Sequence, residues 1–297
     1  MEPSYLSLSE TDFKSRVEKL WDKLTSCDLC GNQCNINRFE KKGSCNAGFR
    51  MEVSSSFPHY GEERVLVGSG GSGTIFLSNC TCKCVYCQNW TISQTGEGKE
   101  ASEEEVAITM LFLQKIGCHN INWVSPTHYT PQLVKSLMIA KEGGLKIPIV
   151  YNTGGYDSED TIKLLDGIVD IYMPDIKYGS NENGLKYSKV NDYWDVSRKA
   201  VKEMHTQVGD LKINNYGIAE KGLLIRHLVL PNDIAESEKV LEFIANRLST
   251  DSYVNIMDQY RPCFNASEYE ELLRPITRRE YIKLIDKAEV LGLHRGF

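Results

Sequence analysis

The sequence predicts an α/β protein: a partial (β/α)6 barrel of the TIM type with a small cysteine-rich metal-binding segment at its N-terminus. Two observations predict it. From Tyr60 onward, six short apolar runs alternate with stretches of helical period, and such alternation demands a parallel sheet covered by helices, because parallel neighbours need a crossover. Ahead of that region, Cys27, Cys30, Cys34 and Cys45 crowd into a segment too short to fold on a core of its own. Six units are fewer than the eight of a closed barrel, so the sheet is read as open, with functional residues at the C-terminal ends of its strands. The division expected is residues 1–60 for the leading helix and cysteine segment and 61–297 for the barrel and a C-terminal helix.

In chain order, Phe13, Val17, Leu20, Trp21 and Leu24 recur at helical spacing and predict a leading helix over 11–24. The first four cysteines follow, with Gly31, Gly43 and Gly48 allowing the tight turns of a metal knuckle. Four thiolates make a closed site; structural zinc and an accessory iron-sulfur cluster fit that ligand set equally, and either would supply folding free energy. Barrel strands are expected at 74–77, 120–124, 148–151, 168–173, 223–230 and 253–257. Helices are expected at 102–116, 131–142, 158–165, 192–204 and 234–248, with a closing helix at 278–290. The glycine-rich run 68–73 precedes a strand instead of opening a helix, which excludes the usual phosphate loop; it reads as a turn bringing backbone close to the second cysteine group. The polar stretch 179–184 reads as a loop, either a mobile one at the barrel mouth or an ordinary surface loop.

The 297 residues, 41% hydrophobic, suit one large domain or one domain with a small appendage. A net charge of -6 argues against a broad basic face, so composition gives nonspecific nucleic-acid binding no support. The first twenty residues lack the apolar core of a signal peptide, and no run approaches membrane-spanning length. A cytoplasmic monomer is expected, in which ten clustered cysteines are metal ligands more readily than disulfides.

The second cysteine group reads Cys80-Thr-Cys82-Lys-Cys84-Val-Tyr-Cys87 and directly follows an apolar run. Cys80, Cys84 and Cys87 give Cys-x3-Cys-x2-Cys, with Tyr86 before the last thiolate. Three ligands hold three corners of a [4Fe-4S] cubane and leave one iron open to bind a small molecule and pass it an electron. An exposed open cluster is oxygen-sensitive, so anaerobic or microaerobic surroundings are expected. A zinc knot is the alternative, since Cys-x2-Cys binds zinc as readily. Cys82 fits no three-ligand spacing with Cys80 and Cys87 and is read as a loop thiol beside the cluster. Cys118 and Cys263 receive no role.

With the strands placed, the motifs resemble those of the radical S-adenosylmethionine (SAM) enzymes, and over Gly68 to Pro262 they are most similar to the pyruvate formate-lyase activating enzymes. Gly73 through Asn89 looks like that family's first strand and cluster loop. Tyr151-Asn-Thr-Gly-Gly155 resembles its Asp-Thr-Asn-Gly turn, Asp175-Ile-Lys177 its Asp-Leu-Lys motif, and Ile225-Arg-His227 up to Pro231 its Ile-Arg strand. The resemblance implies that Asn152, Thr153, Asp175 and the carbonyl of Met173 surround the SAM carboxylate, partly through a monovalent cation. It further implies that Lys177 and Arg226 are cations for that carboxylate. Tyr260 stands where the family has a histidine and would bond to or stack on SAM, and Tyr86 would offer backbone to the adenine. Where the family has Gly-Gly-Glu for the SAM amino group, this chain has Val124-Ser-Pro-Thr-His128; Ser125 and Thr127 would accept from the ammonium, and His128, at a strand end, is a catalytic candidate. The early cysteine segment together with Ser-Pro-Thr-His resembles the PflX-type relatives. The resemblance also implies an electron donor such as flavodoxin or ferredoxin, and a protein substrate.

The leading expectation is therefore an enzyme that cleaves SAM reductively to a 5'-deoxyadenosyl radical and abstracts hydrogen, with a glycine of a partner glycyl-radical enzyme as the target implied. Radical modification of another peptide, a nucleic acid or a small molecule is the alternative. From different classes come a zinc-bearing nucleic-acid module, which the acidic charge disfavours, and an electron carrier, which the three-ligand motif disfavours.

Overall fold

Side-chain alternation along parallel strands sorts the interior into two faces, and the computed structural model, which describes residues 1–297, shows both. The strands are β1 (Met51–His59), β2 (Ser72–Leu77), β3 (Lys99–Ala101), β4 (Ile121–Val124), β5 (Ile149–Thr153), β6 (Ile171–Pro174), β7 (Lys212–Ile213), β8 (Ala219–Leu228) and β9 (Tyr253–Met257). They are ordered β3-β1-β2-β4-β5-β6-β8, with β9 and the short β7 both on β8. Strands β2, β4, β5, β6, β8 and β9 run parallel and are the six barrel strands expected. The fold is an open partial barrel.

On the outer face, Ile75, Trp123, Ile149, Tyr151, Tyr172, Leu223, Ile225 and Val254 join the main apolar core, with Met110, Leu133, Leu137, Val201, Met204, Leu241 and Leu284 from the surrounding helices. The inner face holds Val150, Ile171, Met173 and Leu224 against Leu66, from the short helix Arg64–Val67. That helix lies on the connection from β1 to β2, so the chain plugs its own barrel from the N-terminal ends of the strands. Above this apolar layer the inner face turns polar.

Three expectations are corrected. The sheet begins earlier than the sequence suggests: β1 pairs antiparallel with β2 and β3, so the sheet reaches back into the stretch read as N-terminal segment. Its Ser54-Ser-Ser56 run hides the alternation, and Pro58 is tolerated because β3 pairs only Met51–Val53. The glycine run 68–73 lies at the start of β2, opposite the cysteine loop that leaves its end, and so cannot deliver backbone there. A side chain on Gly70 would meet the Gly117 carbonyl at 1.9 Å. Residues 179–184 are not a loop, because Asn181–Ser188 is a helix with Gly184 packed on Tyr193.

The leading helix, Glu10–Asp22, buries Phe13, Val17 and Leu20 in the main core. The cysteine segment behind it has no long element and docks on the turn after β5. Gly31 N–H donates to the Tyr156 carbonyl at 3.2 Å, and Ser158 N–H to the Leu29 carbonyl at 3.2 Å.

That turn depends on Gly155, whose φ is +74° and whose added Cβ would lie 2.3 Å from the Asp175 carbonyl oxygen. A left-handed backbone costs a non-glycine residue about 1 to 3 kcal/mol, and the overlap adds to it. Gly155→Ala is therefore expected to lower the unfolding free energy by at least that amount, read as a lower urea midpoint at unchanged m-value; an unaltered midpoint would show that this turn does not constrain the β6 end.

Candidate cluster and cofactor site

The second cysteine group leaves the C-terminal end of β2 and is pinned by main-chain bonds from Lys83 to the Ser188 carbonyl and from Val85 to the Tyr187 carbonyl, both 2.8 Å. All its cysteines are free. Ser188 and Ser93 place hydroxyls 3.0 Å from the sulfurs of Cys84 and Cys87. A hydrogen bond from the Cys82 thiol holds the Cys84 pKa down at about 6, with help from Lys177. Burial pushes Cys87 up to about 11 and raises Cys80 as well. Cys82 is fully buried and also faces Gly154. As the side chains stand, no group of three or more His, Cys, Asp or Glu is tight enough to hold a single ion. A cubane does not require that, since each thiolate goes to a different iron. Three unpaired thiols on one short loop, two with hydroxyl donors and a lysine facing them, fit a three-ligand cluster.

Beside this loop the strand ends carry a polar network. Arg226 on β8 donates to Asp175 Oδ1 at 2.9 Å, to Asn152 Oδ1 at 2.9 Å and to Glu62 Oε1 at 3.2 Å. Glu62 accepts in turn from Asn152 at 3.2 Å and Asn122 at 3.0 Å. Lys177 pairs with Asp175 Oδ2 at 2.7 Å. Burial alone would raise the pKa of Asp175, but Arg226 and Lys177 outweigh it and hold the carboxyl below its usual range. Burial likewise works against the charge on Lys177, yet Asp175 and then Cys84 keep it protonated. Lys177 thus stands between the strand-end carboxylate and the cysteine loop.

Several residues expected in this region have other partners. Arg226 is held by three side chains within the barrel, so it is not a free cation. Asn152 both accepts from Arg226 and donates to Glu62, which an aspartate cannot do, and it leaves no carboxylate at that position for a monovalent cation. Thr127 and Thr153 donate to the buried Asp157, at 2.7 and 2.6 Å, so the Thr127 hydroxyl points away from any ammonium. Ser125, half-buried at the end of β4 with φ +57°, donates its N–H to the Asn152 carbonyl at 2.8 Å. The Met173 side chain belongs to the apolar inner layer. Tyr260 donates to the Leu272 carbonyl at 2.8 Å and packs edge-on to Tyr86. The Tyr86 carbonyl accepts the Cys263 thiol at 3.1 Å, which places Cys263 beside the loop. Cys118 lies in the main core.

His128 is enclosed, with 1% of its surface exposed. Its Nε2 donates to the Ser78 carbonyl at 2.8 Å, and burial drives its pKa down to about 3. The ring is neutral and has no open path to a substrate. Sequence reasoning missed Glu62, Asp157 and Ser188. Glu62 sits in a Gly61-Glu-Glu63 turn on the connection from β1 to β2, and only the fold brings it to Arg226.

Residues 74–244 match the model of the Radical SAM superfamily, from β2 through the cysteine loop and on to the helix before β9. The chain belongs to the radical SAM superfamily. Among relatives, the protein MJ0674 of Methanocaldococcus jannaschii is 34% identical over 298 residues, covering 97% of this chain and 81% of that protein. A second protein of that organism, MJ0808, is 25% identical over 185 residues, 54% of this chain and 51% of its own. Of solved structures, methylornithine synthase (PylB) shares 17% identity, 72% of this chain and 60% of its own, at a TM-score of 0.47. HydG, a maturase of the [FeFe]-hydrogenase, shares 11%, 98% and 64%, at 0.49. Membership of the superfamily implies a [4Fe-4S] cluster and SAM, and within the matched region only Cys80, Cys84 and Cys87 have the Cys-x3-Cys-x2-Cys spacing. No helix of this radical SAM protein is long and apolar enough to cross a membrane.

Removing one partner from a buried ionic network costs about 3 to 5 kcal/mol, because the other charges stay buried. Arg226→Ala is expected to destabilise the radical SAM barrel on that scale, and Glu62→Gln in the same chain to recover part of the loss. Equal stability of single and double variants would mean that Glu62 is not a partner of Arg226. The pH dependence has a definite sign. The folded-state pKa of Asp175 lies below the unfolded value of about 3.9. Its stabilisation is therefore complete above that value and is lost as the pH falls through the lower, folded-state pKa. Asp175→Asn should flatten the acid limb of the stability curve.

Proposed function

We propose that this radical SAM protein is an activating enzyme of the PflX type, and that its target is a backbone glycine of a partner polypeptide. The observation that carries the reading is the meeting of the cysteine loop with the Asp175–Lys177 pair at the strand C-terminal ends. When bound, the cluster and SAM supply the chemistry: an electron delivered through an open iron, cleavage of SAM, and abstraction of hydrogen by the 5'-deoxyadenosyl radical.

The chain's own residues prepare that site. Cys80, Cys84 and Cys87 are the three thiolate ligands, with Ser188 and Ser93 donating to two of their sulfurs. Lys177 offsets the charge of the thiolates and offers a cation to the SAM carboxylate; Arg226 holds Asp175 in place and does not reach for the ligand itself. Tyr86, Tyr178 and Tyr193 exclude water on the loop's inner side, all three being buried. The glycine target rests on the order of the activating-enzyme motifs, 73–89, 151–155, 173–177 and 225–231, along one chain. A glycyl radical is stabilised by its two flanking amides.

Cys84→Ala is expected to abolish the [4Fe-4S] absorption and EPR signals, and with them dithionite-driven formation of 5'-deoxyadenosine, while Cys82→Ala keeps most of its iron. Equal iron loss in the two variants would mean that Cys82 is a ligand. Lys177→Met should weaken SAM binding to the loaded protein about tenfold to a hundredfold, the scale of a lost hydrogen bond to a charged group, as read from the SAM-dependent change in the cluster EPR signal. Incubation with a glycyl-radical enzyme tests the target, by the doublet EPR signal of a glycyl radical.

A further inference from the structure

Arg38 is a charge without a carboxylate. It is buried, with 1% of its surface exposed, and donates to two carbonyls, of Gly48 at 2.6 Å and of His128 at 3.2 Å, and to the sulfur of Cys27 at 3.5 Å. Its Nε has no partner. A guanidinium stays protonated in a protein, and an uncompensated buried charge is costly. Among the groups it touches, only the Cys27 sulfur can carry a negative charge.

The four cysteines of the first group share one short segment, although as the side chains stand no three of them are close enough to hold an ion. Cys27 is close enough to Cys34 for their thiols to hydrogen-bond. The sulfurs of Cys34 and Cys45 both lie 3.5 Å from the point where a side chain on Gly43 would begin, so the two border the same space. Cys30 lies within electrostatic reach of Cys45 and Cys34. Neutral thiols would not balance Arg38, whereas four thiolates on a divalent ion carry a net double negative charge. A pair of sulfurs near contact is the spacing of a single tetrahedral ion, since a cubane holds its thiolates further apart.

We propose that Cys27, Cys30, Cys34 and Cys45 bind one zinc ion as a closed tetrathiolate centre, with Arg38 as its buried counter-charge. The ion draws the thiols together, and the centre braces the second cysteine loop. Asn32, between two ligands, donates to the Thr81 carbonyl at 3.0 Å, and Asn46, next to a third, donates to Asn79 at 3.1 Å. Arg38 reaches the His128 carbonyl at the end of β4. The proposal does not rest on the function of the second cysteine group, and its test is arranged to be independent of it.

The experiment is metal analysis of anaerobically purified full-length protein in which Cys80, Cys84 and Cys87 are all alanine. One zinc per chain and little iron is the expected result; bound iron and sulfide in zinc's place, or a folded chain without metal, would overturn the proposal. Because cysteine variants of the first group would not all fold, release of zinc from the same triple-alanine protein by a mercurial is followed with a chromogenic chelator, and four of its seven remaining thiols are expected to react in step with zinc release. Arg38→Met should speed zinc loss to a chelator about tenfold to a hundredfold, the range for residues that support a ligand, and Arg38→Lys should restore part of it. Unchanged release in Arg38→Met would remove the counter-charge role.

Discussion

A cation inside a barrel must be neutralised where it stands, and much of the site's geometry follows from how Arg226 is neutralised. Its fork reaches three strand-borne or plug-borne groups at once: Asp175 beyond β6, Asn152 on β5, and Glu62 from the connection between β1 and β2. Those contacts tie the open barrel across its width, where no further strand closes it. They also orient the other oxygen of Asp175 toward Lys177. The position of Lys177 beside the cysteine loop is therefore a consequence of a contact made deeper in the barrel.

The same accounting explains the plug. Leu66 fills the apolar bottom of the inner face, while Glu62, a few residues earlier, supplies the anion for the polar layer above it. Glu63 serves the far side, accepting from Asn255 of β9 at 2.8 and 2.9 Å. One short connection thus provides both the apolar filling that six strands cannot complete and the carboxylates that their inward polar residues need. An Asn, with a donor and an acceptor, can stand between Arg226 and Glu62, where Asp would add a second negative charge against Glu62.

What was legible in the sequence is what is local. Cys80, Cys84 and Cys87 share one loop, so spacing alone reveals them, and the six barrel strands announce themselves because each is a short, largely apolar run. Strand β9 was bounded correctly from Tyr253 to Met257. Contacts across many residues were not legible. Nothing near Glu62 indicates a partner 164 positions away, and nothing near Thr127 and Thr153 indicates that Asp157 takes both hydroxyls. His128 reads as a catalytic candidate because strand ends in such barrels carry function; its burial is set by the N-terminal segment, whose Arg38 reaches the His128 carbonyl.

That covering segment changes what the strand-end face can be. In a bare barrel the loops after β2, β4 and β5 would all open to solvent. Here the first cysteine segment hydrogen-bonds to all three, through the carbonyls of Thr81, His128 and Tyr156. The face left to a ligand is narrowed to the side of Lys177, Cys84 and the helix Asn181–Ser188, whose Ser188 touches Cys84. That helix also supplies the main-chain acceptors that pin the loop at Lys83 and Val85. One helix thus both borders that face and anchors the cysteine loop.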